Sequence, residues 1–187
     1  MRIKISEKIE LPEGIEVEVT KNKIKLKKGE RELSKNYSGF SLKKEKNILV
    51  LECQKATKRE KKMIKTGLAH IRNMIKGIET GFTYKLQICN LHFPMSVSVD
   101  KNKKMVVIKN FLGEVKERSA KILNGVEVKI EGEIISIESH DKELAGQTAA
   151  NIEKATKIRN RDMTRFQDGI FIIKKPGKDE EGEELKE

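Results

Sequence analysis

The sequence has no tryptophan, two tyrosines and six phenylalanines, so it is poor in the flat side chains on which nucleic-acid bases stack. Most of these aromatics fall at strand-like positions expected to be buried. A single-strand platform of exposed rings is therefore disfavoured, and any nucleic acid is expected to be held through phosphate and sugar on a folded surface. Cysteine is equally scarce. Cys53 and Cys89 are too few and too far apart for a disulfide framework or a zinc site, and both read as small buried hydrophobes. The three histidines, His70, His92 and His140, are scattered. There is no HExxH, no GxSxG, no paired Cys and His pattern and no glycine-rich loop ending in Gly-Lys-Ser/Thr. No metal, cofactor or reaction is indicated, and the chain is not expected to be an enzyme. No apolar run approaches the roughly 20 residues needed to cross a bilayer, and no signal-peptide core follows Met1. A membrane role is not expected; a cytoplasmic location is.

What the chain has in excess is positive charge. Lys and Arg number 40 against 29 Asp and Glu, a net +11. Residues 176–187 hold six acids and two lysines, so removing their net −4 leaves +15 on the first 175 residues. A body this basic is expected to meet a polyanion. Nucleic acid, an anionic membrane and an acidic protein all qualify on charge, which ranks them only weakly, and the membrane reading lacks support. Hydrophobic residues are 36% of the chain, which predicts thin cores, and 187 residues suffice for one domain or two small ones.

Hydrophobic spacing supplies the organisation. Ile3, Ile5, Ile9 and Leu11 fall at even separations, and Ile15, Val17 and Val19 alternate with Glu16 and Glu18, as in strands with one wet face. A turn is expected at Lys21-Asn22, a break at Gly29, and further strands at Phe40 and Leu42 and over residues 48–51. The period then changes: Ile64, Leu68, Ile71, Ile75 and Ile78 form a helical stripe that starts at a Thr57…Glu60 capping box and stops by Gly77 and Gly81. The strand pattern returns from Phe82 to Ile137, and a second helix begins at Asp141. Asp141 and Glu143 read as first-turn capping acids, not a catalytic pair. Order therefore repeats as several strands and then a helix. Residues 17–23 match 97–103 at an offset of 80, and residues 48–52 resemble 134–138 at an offset of 86, as a duplicated unit predicts. The expected class is α+β, with two tandem duplicated domains, each a small, mostly antiparallel sheet packed with an α-helix. Residues 1–80 form the first and 81–175 the second, followed by an acidic tail at 176–187 whose Glu and Gly content reads as disorder.

The second helix is followed by the densest cluster of cations. Lys154, Lys157, Arg159, Arg161 and Arg165 accompany one acid, Asp162, within twelve positions, and Asn160 adds turn character. Chain reversal between a helix and a strand can expose several cations together, and the planar fork of Arg takes phosphate bidentately. Residues 55–65, with six bases and one acid, read either as a second binding face or, with no sequence-specific pattern, as a solvated helix face opposite the apolar stripe. Ala145, Gly146, Ala149, Ala150 and Ala155 leave the second helix open to close approach, either by its own sheet or by a partner.

Six fragments carry a family resemblance: Asn73-Met-Ile-Lys-Gly77, Gly81-Phe-Thr-Tyr-Lys85, His92-Phe-Pro94, Asn110-Phe-Leu-Gly-Glu114, Ile158-Arg-Asn-Arg-Asp162 and Phe166-Gln-Asp-Gly-Ile170. In number, order and spacing they resemble universal large-subunit ribosomal protein family six, called L-nine in eukaryotes, in its archaeal form. The resemblance spans residues 1–175. It implies two duplicated domains and no enzymatic activity. It also implies a structural protein that binds large-subunit ribosomal RNA near the sarcin-ricin loop and stalk base, where translational GTPases dock, among neighbouring large-subunit proteins. It makes the second domain the principal RNA binder and adds Asn110, Gly113 and Arg118 as candidate contacts. The short connection over residues 28–37 departs from the longer basic one common in the family and weakens an RNA role for the first domain. A non-ribosomal RNA-binding or RNA-chaperone module on the same scaffold is the alternative.

Overall fold

A computed structural model describes residues 3–20, 23–45, 48–162 and 164–177, and the chain divides into two compact units, Met1–Gly81 and Phe82–Glu187. The expected Lys21-Asn22 turn and the acidic tail from position 178 onward lie outside the described residues.

In the first unit the alternating Ile, Val and Leu residues form six strands. They are β1 (Ile3–Glu10), β2 (Glu16–Thr20), β3 (Lys23–Lys28), β4 (Arg31–Asn36), β5 (Ser41–Glu45) and β6 (Ile48–Ala56). One antiparallel sheet is ordered β1-β6-β5, and β2-β3-β4 is a meander of its own. The long helix α1 (Lys58–Glu79) lies against β6, β1, β3 and β4. It starts where expected: the Thr57 side chain accepts from Arg59 N–H, and Glu60 accepts from the Thr57 N–H at 2.8 Å. Ile64, Ile71, Met74, Ile75 and Ile78 are buried on its inner stripe against Leu49, Leu51, Ile24 and Leu26. Gly67 belongs to that stripe because Phe40 occupies the space its Cβ would take, with Cζ 2.6 Å from that position. Lys58, Arg59, Lys61, Lys62 and Lys65 are exposed on the opposite face.

The second unit repeats this order. It runs through β7 (Phe82–Cys89), β8 (Ser96–Asp100), β9 (Met105–Lys109), β10 (Arg118–Lys121), β11 (Glu127–Glu131), β12 (Ile134–Ser139) and α2 (Lys142–Ala155), then adds β13 (Gly169–Lys174). β12 is flanked by β11 and β7 as β6 is by β5 and β1, and β8-β9-β10 is a meander like β2-β3-β4. The matched sequence fragments fall on equivalent strands, β2 with β8 and β6 with β12. The α+β class with repeated sheet-plus-helix units is thus present. Among the described residues β13 has no counterpart in the first unit: it pairs with the free side of β7. Its Ile170 closes a core of Leu86, Ile88, Ile135, Ile137, Ala145, Ala149 and Ile152.

Three expectations need correction. Residues 31–36, expected as connection, form β4. Neither cysteine is fully buried: Cys53 sits beside the bulge between β1 and β6, and Cys89 stands opposite Gly169, which has no side chain to cover it. Among the aromatics only Tyr37, Phe82 and Phe111 are buried, while Phe93 and Phe171 are exposed, the first on a loop and the second on the sheet's edge strand. Among the described residues, no helix is long and apolar enough to cross a membrane.

Candidate nucleic-acid interface

Asp141 caps α2 by accepting from the Glu143 N–H at 2.8 Å, and Thr156 ends it. The Thr156 hydroxyl donates to the Glu153 carbonyl and accepts from the Ile170 N–H at 2.9 Å, which fastens the helix end to β13. Between these anchors residues 157–168 reverse the chain. Ile158 is buried and pins the start of the segment, and Asn160 takes a left-handed backbone (φ 56°) that asparagine tolerates. Of the segment's two acids, Asp162 is bonded locally. The Asp162 carboxylate accepts from the Thr164 hydroxyl at 2.7 Å and the Thr164 N–H at 2.9 Å, and these bonds hold its pKa below the ordinary value. Lys154, Lys157, Arg159, Asn160, Arg161 and Arg165 are all exposed. The loop thus bonds Asp162 to its own Thr164 and leaves its cations exposed.

Arg118, far away in sequence, joins this group from β10. Nη1 donates to the carbonyls of Ala155 (2.9 Å) and Lys157 (3.3 Å), while Nε and Nη2 hold the Glu114 carboxylate at 2.8 and 2.6 Å. Its guanidinium also lies 4.3 Å from the centre of the Phe111 ring. Four of its five N–H donors are therefore committed within the protein. Positive charge at the C-terminus of α2 opposes the helix dipole, which favours Arg118 and Lys154 there by about 0.3–1 kcal/mol each. The outcome is an open recess of about 330 Å³ lined by Arg118, Ser119, Lys154, Ala155, Lys157 and Arg159. Hydrogen bonds from Arg118 hold the Glu114 carboxyl below its ordinary pKa, with a smaller contribution from Arg161.

Asn110 and Gly113 do not line the recess. Asn110 has a left-handed backbone (φ 58°), and its Nδ2 donates to the Pro94 carbonyl at 2.8 Å. Gly113, at φ 76°, lies in a conformation that side-chain-bearing residues rarely adopt, and the Phe93 ring rests beside its Cα. The loop between β7 and β8 is held from its other side by Asp168. That carboxylate is 3% exposed, accepts from the His92 N–H at 2.9 Å and lies 2.6 Å from His92 Nδ1. Burial works against its charge, yet the His92 N–H, the His92 ring and the Leu91 N–H together keep its pKa below the ordinary carboxylate value. The His92 ring packs on Phe166 with centres 5.2 Å apart, and Arg161 lies 5.3 Å from the Phe166 centre.

The small residues of α2 divide between the two readings open in the sequence. Ala145 and Ala149 are fully buried against the sheet, and Gly146 meets Tyr84, whose hydroxyl would lie 2.8 Å from a Cβ there. Ala155 lines the basic recess. Ala150 lines an adjoining cleft of about 860 Å³ with Ile158, Phe166 and Phe171 among its other walls.

The sequence profile described as Ribosomal protein L6 matches residues 93–169. The chain is 44% identical over 176 residues to the large ribosomal subunit protein uL6 of Methanococcus vannielii, covering 93% of this chain and 96% of that one. The chain belongs to the ribosomal protein L6 family. The uL6 proteins of Methanobrevibacter smithii (44% identity over 91% of this chain and 96% of that one) and Desulfurococcus amylolyticus (42%, 91% and 95%) are similarly close. The stretch matched by the L6 profile runs from Phe93 to Gly169 and contains every candidate contact residue. Residue-by-residue reading does not reveal the connections among the L6 fragments. His92 is bonded to Asp168, and Asn110 to Pro94, so motifs up to 76 positions apart form one support for the basic loop. The available signal is their joint presence among the family fragments, since neither spacing nor periodicity relates residues so far apart.

Proposed function

We propose that this chain is a non-enzymatic structural component of the large ribosomal subunit that holds large-subunit ribosomal RNA chiefly through its second unit. The RNA segment is the neighbourhood of the sarcin-ricin loop and stalk base, where translational GTPases dock, with other large-subunit proteins alongside. Family membership supports the ribosomal setting, and the resemblance of the fragments around residues 92–94, 110–114 and 158–170 supports the place. The observation that carries the RNA reading is the convergence of Arg118, Lys154, Lys157 and Arg159 on one open recess while the nearby Glu114 is ion-paired with Arg118. Each exposed cation releases condensed counterions when it meets a phosphate, so the binding energy grows with the number of cations that reach the backbone together. Asn110, Gly113 and most donors of Arg118 shape the surface, while Lys154, Lys157, Arg159, Arg161 and Arg165 supply its charge.

Two experiments test this. Tagged protein should cosediment with large subunits through a high-salt gradient; absence from that peak would assign the chain to a non-ribosomal RNA role. A nuclease footprint on large-subunit RNA, with and without protein, should protect the sarcin-ricin and stalk-base region, and protection confined elsewhere would refute the placement.

A further inference from the structure

The surface beside the basic recess carries three exposed apolar side chains: Leu91 at 70%, Phe93 at 42% and Val115 at full exposure. Isolated apolar residues on a surface need no explanation, but these project from two loops tied together by the Asn110 to Pro94 hydrogen bond. Phe93 is the most constrained of the three. Its neighbour His92 is fixed by two bonds to buried Asp168, its neighbour Pro94 is fixed by Asn110, and three ring carbons lie 3.5–3.7 Å from the Cβ position of Gly113. The turn at position 113 needs glycine for its left-handed backbone (φ 76°), and the ring rests against it at ordinary van der Waals distance. The fold thus commits a buried carboxylate, two side-chain-to-backbone bonds and a left-handed glycine to presenting a ring that remains two-fifths exposed.

The charge around the ring indicates what it meets. Glu114 is neutralised by Arg118 and Glu117 by Lys109 at 2.7 Å, while Asp162 and Asp168 are turned onto Thr164 and His92. The packed series His92, Phe166, Arg161 leads from this loop directly to the exposed cations. An apolar ring at the margin of a cation-rich surface whose Glu114 and Glu117 are ion-paired matches a nucleobase next to its phosphates better than a protein partner. Resting on the RNA reading above, we infer that Phe93 is a stacking surface for one unpaired base of the bound RNA, flanked by Leu91 and Val115. The RNA class implied is a bulge, loop or junction with a splayed base, since a base inside a continuous helix offers no free face. A pre-positioned ring loses little conformational freedom on binding, and base stacking on an aromatic contributes about 1–3 kcal/mol, or roughly 5- to 150-fold in affinity.

The test compares full-length wild type, Phe93→Ala, Phe93→Leu and Phe93→Trp for binding to large-subunit ribosomal RNA across a salt series, with chemical probing of the RNA. Phe93→Ala and Phe93→Leu should both weaken binding by about 5- to 150-fold with an unchanged salt slope, because the same phosphates remain neutralised. Phe93→Trp should retain wild-type affinity, and one nucleotide protected by wild type and Trp should become reactive with Leu. Wild-type affinity in the Leu variant would reduce the ring to apolar packing and overturn stacking. Unchanged RNA affinity in the Ala variant, with weakened retention in salt-washed subunits, would assign the ring to a protein neighbour and likewise overturn it. Failure of wild type itself to bind the RNA would remove the underlying RNA reading, an outcome distinct from either.

Discussion

Asp168 is the only carboxylate among the described residues that is fully buried, and its partners are two donors on His92 and the Leu91 N–H. Asp168→Asn keeps the shape but places an amide N–H₂ or a weaker acceptor opposite the ring. The loss is expected to be about 1–3 kcal/mol, as for other buried hydrogen-bond mismatches. The pH dependence has a definite sign. The folded carboxyl has a depressed pKa, so the stability its charge contributes is complete above the unfolded value of about 3.9 and is lost as pH falls through the lower folded value. Melting curves followed by circular dichroism should show a constant gap between wild type and variant above about pH 5 and a shrinking one in acid. A gap that stays constant down to about pH 2 would mean that the carboxylate's charge plays no part.

At the scale of elements, the segment joining α2 to β13 separates structural from functional charge. Its fold depends on Ile158, Thr156, Asp162 and Asp168, whereas Lys157, Arg159 and Arg161 are exposed. The triple change of those three cations to Ala should lower the slope of log affinity against log salt by about 0.7–0.9 for each phosphate left without its cation. Melting temperature should change little, because exposed ion pairs contribute about 0–1 kcal/mol and the Arg161 interaction with Phe166 about 0.5–1. An unchanged slope would show that this loop faces away from RNA. Legibility in the sequence follows the same division. The helices are visible through the Thr57 and Asp141 caps and the isoleucine stripe, and the cation cluster through composition. What escapes is β4 and its equivalent β10, the third strand of each meander. In β4 only Leu33 is apolar and in β10 only Ala120, because an outer strand held by backbone bonds to its neighbour needs little side-chain hydrophobicity. The exposure of Phe93 and the structural commitment of Arg118 are also hidden, since both depend on interactions between distant segments.

Across the whole molecule, one sheet-plus-helix order occurs twice, and the two units differ after the helix. In the first, α1 runs 22 residues and the chain passes Gly81; in the second, α2 stops at 14 and the freed chain builds the basic loop and β13. RNA binding is therefore expected to be concentrated in the second copy, while the net charge of the entire chain governs how fast RNA is met. Residues 178–187 carry six acids and two lysines, so deleting them raises the net charge from +11 to +15. Unlike removal of a single phosphate-binding side chain, this change acts at a distance and should obey screening. The truncated chain should associate with large-subunit RNA several-fold faster at about 50 mM salt. The advantage should vanish near 1 M, where the Debye length falls from about 10 Å at 0.1 M to about 3 Å. Stopped-flow association rates across that salt range decide between the two modes of action: an advantage that survives high salt would mean the acidic residues compete with RNA by directly pairing with the cations around Lys157 and Arg159.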